Sequence, residues 1–378
     1  MSAVWEAYHR RQPIRVPMVL GINVRFTMFG HEANPRGITF EQYFTDPETM
    51  LTRQLEHLSW VRRHVPQDQE MGPPAAGWQV HVDLQNSYEA GWFGCPVRYF
   101  EGEAPDTEPL LSSDADRGRL LDAGLPDPFT GGLMERNWAF YEHFRQRQAE
   151  GFTWEGLPLA GVTPAGLGTD GPLTVACNLR GASATYADLA ADPGYARELL
   201  DYITEATIAR IAAYRQRLGL PARTAGYGFA DDAIQSISPE MYRQLVMPYH
   251  QRLIAAFSSG GPNAIHLCGD ATRHFRLLRD ELEMRSFDTG FPIDFAWTRR
   301  QVGPEVELKG GPSVMFLREA GPAEVEEQVR DILASGVTAG GRFVLREGNN
   351  LPPGVPLANL WAMYGAARRF GAYGPVEA

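Results

Sequence analysis

His266 and Cys268 stand two residues apart in NAIHLCGD, a short apolar run that stops at Gly269 and Asp270. On a strand, residues i and i+2 point to the same face, so an imidazole and a thiol are presented together. That donor pair suits zinc. Zinc deprotonates a coordinated thiol outright, and it can also polarise an oxygen or activate water. A free thiol, with a pKa of about 8.5, is only a small fraction thiolate at neutral pH. The same pair also reads as a buried cysteine beside a hydrogen-bonded core histidine, because cysteine is among the most buried residue types. Two side chains do not hold a catalytic zinc; three protein ligands and one open position is the usual set. Cys95 and Cys177 lie at no obvious strand end, so a carboxylate is the expected third ligand. Glu347 in LREGNN comes first, then Asp288 in SFDTG, with Asp231 and Asp232 behind them.

Other residues could bind or turn over a substrate. Asp288 is expected to orient substrate or to act as acid or base, and Asp231 joins it as a candidate catalytic carboxylate. Asp232, Asn349 and Asn350 are expected to contact substrate. Capping of a helix is the competing role for one of the adjacent pair Asp231 and Asp232, since Asp is favoured at helix starts. Ser238 followed by Pro239 reads as a helix cap with Pro at the first helical position. Asp294 reads as the start of the next helix. Gly310 and Gly311 in LKGGPS offer unobstructed backbone N–H groups to a substrate, although a tight turn explains them equally. NSYEAGWFGCPVRYF reads as packing ahead of a substrate lid, because aromatic side chains bury large areas.

The elements that must carry these residues alternate. LPLAGVTPA reads as a strand, the stretch from Ser183 to Gly219 as one long helix, and PEMYRQLVMPYHQRLIAAFSS as another. Strand and helix then repeat to the end of the chain, and IRVPMVLGIN supplies a strand near its start. Regular alternation means a parallel sheet with helices outside. No G-x-G-x-x-G opens a helix, so the expected fold class is α/β, a (β/α)8 TIM-type barrel. A single barrel domain over residues 1–378 is expected, with extra elements in 1–150. In such a barrel the site lies at the C-terminal ends of the strands, where the residues above fall.

Composition bounds the rest. The chain has 378 residues, 44% hydrophobic and 21% charged, which is ordinary for a globular protein. A net charge of −11 without a Lys/Arg-rich block argues against nucleic acid. No stretch approaches the roughly 20 apolar residues of a membrane span, and the N-terminal residues lack a signal peptide's apolar core. Three cysteines are no disulfide framework. These points lead to a cytoplasmic protein acting on a small molecule, with its oligomeric state open.

Residues 155–374, through DLAADPGYARELLDYIT, DDAIQSISPEMYRQLVMPYHQRLI, IHLCGD, VELKGGPS, EVEEQVRDILASG and GGRFVLREGNN, resemble the uroporphyrinogen decarboxylase superfamily. That superfamily includes zinc-dependent methyltransferases of corrinoid methyl transfer. The resemblance implies a distorted (β/α)8 barrel with its site in the mouth. Two arginines that hold substrate carboxylates in the decarboxylase are reduced here to Arg25. The methyltransferase branch places zinc on His-x-Cys and a later Gly-Cys turn; His266 and Cys268 match, while Asn349 stands at the third position. The resemblance therefore implies a metal-dependent methyltransferase-like enzyme, with zinc on His266, Cys268 and Glu347 and a corrinoid carried by a separate protein. A metal-free decarboxylase, with Arg25 and Arg180 as anion contacts, and a non-catalytic binding barrel are the alternatives.

Overall fold

The computed structural model describes residues 3–30 and 32–373. It divides into two compact units, each built from discontinuous pieces of chain. The first takes the described residues of Met1–Ile38, Arg53–Gly77 and His266–Ala378; the second takes Thr39–Thr52 and Trp78–Ile265.

The first unit is organised by a parallel sheet. Met284–Asp288 pairs with Glu307–Gly310, and Glu307–Gly310 pairs with Phe343–Leu345. Residues 17–19 extend it: Val19 N–H donates to the Leu345 carbonyl at 3.0 Å, and Leu345 N–H to the Pro17 carbonyl at 2.9 Å. At the other side, Leu267 N–H donates to the Asp288 carbonyl at 2.9 Å. IRVPMVLGIN thus pairs as a strand would, through a single parallel bridge at Met18. Side chains alternate between the faces of a strand. Phe287, Leu308, Phe343 and Leu345 point one way and are fully buried. Ser286, Asp288, Glu307 and Lys309 are register partners on the opposite, polar face. The helix Pro322–Ala334 buries Val325, Val329 and Leu333 at i, i+4, i+8 spacing, the stripe of a helix that covers a sheet.

In the second unit Trp78–His81 pairs in parallel with Leu157–Thr163. Gly228–Ala230 precedes the 3-10 turn Asp232–Ser236. Two expected long helices are broken. Asp192 and Pro193 split the stretch into Ala182–Ala191 and Pro193–Arg217. Proline disfavours helical geometry in the residue before it and starts a helix well, and the Asp192 side chain accepts from Tyr195 N–H. The second stretch divides into Pro239–Leu245 and Met247–Phe257 around Val246, just ahead of Pro248. The expected caps form: Ser238 accepts from Met241 N–H at 3.1 Å and Asp294 from Trp297 N–H at 2.8 Å. The aromatic NSYEAGWFGCPVRYF segment packs Trp92, Phe93 and Cys95 into the core. No helix among the described residues is long and apolar enough to cross a membrane.

Candidate active site

The polar residues of the first unit form one connected chain of contacts. His266 ends the strand Asn263–His266, and Cys268 follows two residues later. The His266 ring stands between two partners: Nδ1 is 2.8 Å from Asp288 Oδ2, and Nε2 is 3.1 Å from Cys268 Sγ. A carboxylate only accepts hydrogen bonds, so Nδ1 carries a proton and Nε2 is the nitrogen that faces the thiol. The Cys268 thiol also faces the side-chain oxygen of Asn349 at 3.4 Å. The His266 and Asp288 side chains keep 30% and 21% of their surface exposed, so solvent reaches the pair.

Arg346, at the end of the Phe343–Leu345 strand, joins this cluster to Glu347. Its guanidinium donates to Asp288 Oδ2 at 2.5 Å and to Glu347 Oε1 at 2.6 Å. Burial pulls the guanidinium down, but the two carboxylates outweigh it and hold Arg346 above its ordinary pKa. Glu347 is fully buried and accepts from Gly21 N–H at 3.0 and 3.1 Å. Burial pushes its carboxyl up to about 7, against the opposing pull of Arg346 and the Gly21 amide.

This geometry corrects the expected ligand set. Glu347 has one oxygen on Arg346 and both on the Gly21 amide. Among the described residues, no trio of close donor atoms joins Glu347 to His266 and Cys268. His266 and Cys268 do fit zinc: their soft donors converge, and the carboxylate on Nδ1 fixes the nitrogen offered to a metal.

Asp231 is corrected too. It is fully buried, and its carboxylate accepts from Leu173 N–H at 3.1 Å, Thr174 N–H at 2.9 Å and Thr174 Oγ1 at 2.8 Å. His250 Nε2 lies 2.8 Å from it, and Tyr242 Oη 2.9 Å from His250 Nδ1. Asp231 therefore caps the helix Pro172–Arg180, 58 positions earlier in sequence, and does not face substrate. Arg180 is likewise spent, on Asp188 at 3.0 Å, on Asp114 and on the Leu111 carbonyl at 2.8 Å. It is no anion contact. Asp232, half-buried, opens the 3-10 turn of the second unit.

The expected backbone approach at Gly310 and Gly311 also has a packing cause. A Cβ at Gly310 would strike Thr289 and Phe295, and one at Gly311 would strike the Arg346 carbonyl. Asn349 is half-buried beside Cys268, while Asn350 is exposed. Arg25 is half-buried in the first turn of the helix Val24–Met28, in the same unit as the cluster. Arg346 and Gly21 were missed from the sequence. Arg346 directly precedes Glu347 at a strand end, which was a usable signal. Gly21 had none: a Cβ there would collide with Arg346, Glu347 and Asn350, over 300 residues away.

Comparison with known proteins follows the same line. The uroporphyrinogen decarboxylase (URO-D) family model matches residues 87–370. A methylated-thiol–coenzyme M methyltransferase of Methanosarcina mazei is 27% identical over 329 residues, 82% of this chain and 79% of that protein. A uroporphyrinogen decarboxylase of Nocardia farcinica is 30% identical over 150 residues, 39% of this chain and 40% of that protein. Among solved structures, a methyltransferase from Methanosarcina mazei superposes with a TM-score of 0.63 at 19% identity, covering 96% of this chain and 97% of the other. That likeness speaks to fold, and with the family match it gives an α/β barrel of the TIM type. The methyltransferase relative spans far more of the chain than the decarboxylase does.

Proposed function

The chain belongs to the uroporphyrinogen decarboxylase family, and within it we propose a metal-dependent methyltransferase that moves a methyl group between a small thiol and a corrinoid carried by a separate protein. The observation that carries this reading is the Asp288–His266–Cys268 relay, with the imidazole held from behind and a soft donor pair in front. His266 and Cys268 would provide two of the protein ligands of a zinc, which when bound supplies thiol deprotonation at neutral pH.

The chain's own residues do the rest. Asp288 accepts a hydrogen bond from His266 Nδ1–H and so keeps Nε2 turned to the Cys268 side. Arg346 pins Asp288 in place and balances its charge. Glu347 and the Gly21 amide fix Arg346 from behind. Asn349 offers an amide beside Cys268 for the substrate, with Asn350 and Arg25 as further contacts. The thiol substrate is supported by the name of the Methanosarcina mazei relative, and the corrinoid partner by the family resemblance. A single cytoplasmic barrel domain over residues 1–378 belongs to the same proposal.

Elemental analysis tests it, on protein purified without chelator or nickel. Wild type and Glu347→Gln should carry about one zinc per chain, and His266→Ala and Cys268→Ser almost none. Loss of zinc from Glu347→Gln would restore Glu347 as a ligand. A wild-type protein that takes up no zinc when zinc is supplied would end the metal-dependent reading.

A further inference from the structure

Of the 35 basic residues in the chain, one is a lysine, Lys309. Arginine serves wherever this protein needs a planar, forked cation; Lys309 is its single compact ammonium on a flexible stem. It lies in the strand Glu307–Gly310, with Asp288 as register partner on one side and Val344 on the other. Asp288 is the residue that holds His266. The lysine therefore shares the polar face of the sheet with the candidate site.

Its ion-pair partner among the described residues has other donors as well. Lys309 Nζ is 3.1 Å from Glu307 Oε1. Glu307 already accepts from the Tyr8 hydroxyl at 2.7 Å, Ser286 Oγ at 2.8 Å and Arg342 at 3.0 Å. Arg342 shares the balancing of its charge with Lys309. An ammonium has three donors, and Glu307 takes one of them. The Lys309 side chain is 35% exposed, whereas its strand neighbours Leu308 and Gly310 are buried. A water-reachable ammonium with donors to spare, on an otherwise packed strand beside reacting groups, is suited to an incoming anion.

We propose that Lys309 binds an anionic group, a carboxylate or similar oxyanion, of the small substrate whose other end meets His266 and Cys268. The identity of that other end rests on the methyl-transfer reading; the anion contact does not. Paired strands lie about 4.8 Å apart, so two spacings put the Lys309 strand roughly 10 Å from the His266 strand. A lysine stem and a short acid span that together. The substrate class is a small thiol acid, in preference to a neutral thiol.

A lone lysine allows a direct test. Reductive methylation with 13C-formaldehyde labels Lys309 and the α-amino group, and it keeps the lysine charge. The Lys309 resonance is assigned by its absence from Lys309→Met and by peptide mass mapping. Propionate and 3-mercaptopropionate should each shift it saturably, and 2-mercaptoethanol at equal concentration should not. Calorimetry on unlabelled protein should show 3-mercaptopropionate binding weakened about tenfold in Lys309→Met, the worth of a charge-assisted hydrogen bond. A resonance unmoved by both acids, or moved as far by 2-mercaptoethanol, overturns the assignment; so does unchanged affinity in a folded Lys309→Met. Equal affinity for the two acids upholds Lys309 and counts against the thiol end alone. The wild-type titration needs no variant to fold.

Discussion

Two aspartates in this protein hold a histidine at the same distance and do opposite things. Asp231 and His250 are 2.8 Å apart with both side chains fully buried. Asp288 and His266 are also 2.8 Å apart, with 30% of the histidine side chain and 21% of the aspartate exposed. In the first pair every partner is a structural one: a helix terminus, the Thr174 hydroxyl and the Tyr242 hydroxyl. In the second, the far nitrogen faces a thiol that solvent can approach. A carboxylate–histidine pair is therefore no signature of chemistry on its own. What the second ring nitrogen meets, and whether water reaches it, separates a rivet from a reacting group.

The comparison can be broken by variants that treat the two pairs alike. The largest contrast is expected between the histidines. His266→Ala should lose its zinc and shift unfolding free energy by no more than about 1 kcal/mol, the usual cost of a part-exposed change. His250→Ala should keep zinc and lose stability. If both variants lose zinc, or neither does, the distinction fails. Next is Asp231→Ala, which leaves a buried helix terminus and histidine unpaired. It should cost about 3–5 kcal/mol in urea unfolding, with metal content intact.

Glu347 tests the same idea from within the first unit, because it is sealed as Asp231 is. Its folded pKa, about 7, lies above the ordinary carboxylate value of 4.5. A raised carboxyl favours the folded state most when protonated, below pH 4.5. That contribution is lost as pH rises to about 7 and is flat beyond it. The window amounts to roughly 3 kcal/mol at most. Glu347→Gln should remove this slope from a pH series of unfolding curves; an unchanged slope would mean that the carboxyl ionises in place at no cost. The smallest effect is expected for Asp288→Asn. It should weaken zinc affinity about 10- to 100-fold, as loss of a ligand's supporting partner does, with stability close to wild type. Chelator competition measures it.

The sequence was informative wherever a role depends on near neighbours. His266 ends its strand and Cys268 follows two residues on, with Sγ 3.1 Å from the ring, and Asp288 ends a strand as expected. The caps at Ser238 and Asp294 are local hydrogen bonds and were legible for that reason. Strand and helix alternation was enough for the fold class, while the breaks at Asp192 and Val246 and the helices Pro172–Arg180 and Val314–Glu319 were missed.

The sorting of the carboxylates was not legible. Asp231 and Asp232 are neighbours of one type, yet the first is sealed by a helix 58 positions earlier and the second is half-buried. Glu347 looked like a ligand until Gly21, 326 residues away, was seen to occupy it. Arg346 reaches Asp288 across 58 positions. Backbone periodicity repeats within a few residues, so composition and spacing suffice to place a side chain on a strand end. Desolvation and hydrogen-bond partnership depend on what the folded chain brings within about 3 Å, and for these carboxylates those partners come from distant segments. Chain order alone names the donors, and folding assigns each one to structure or to chemistry.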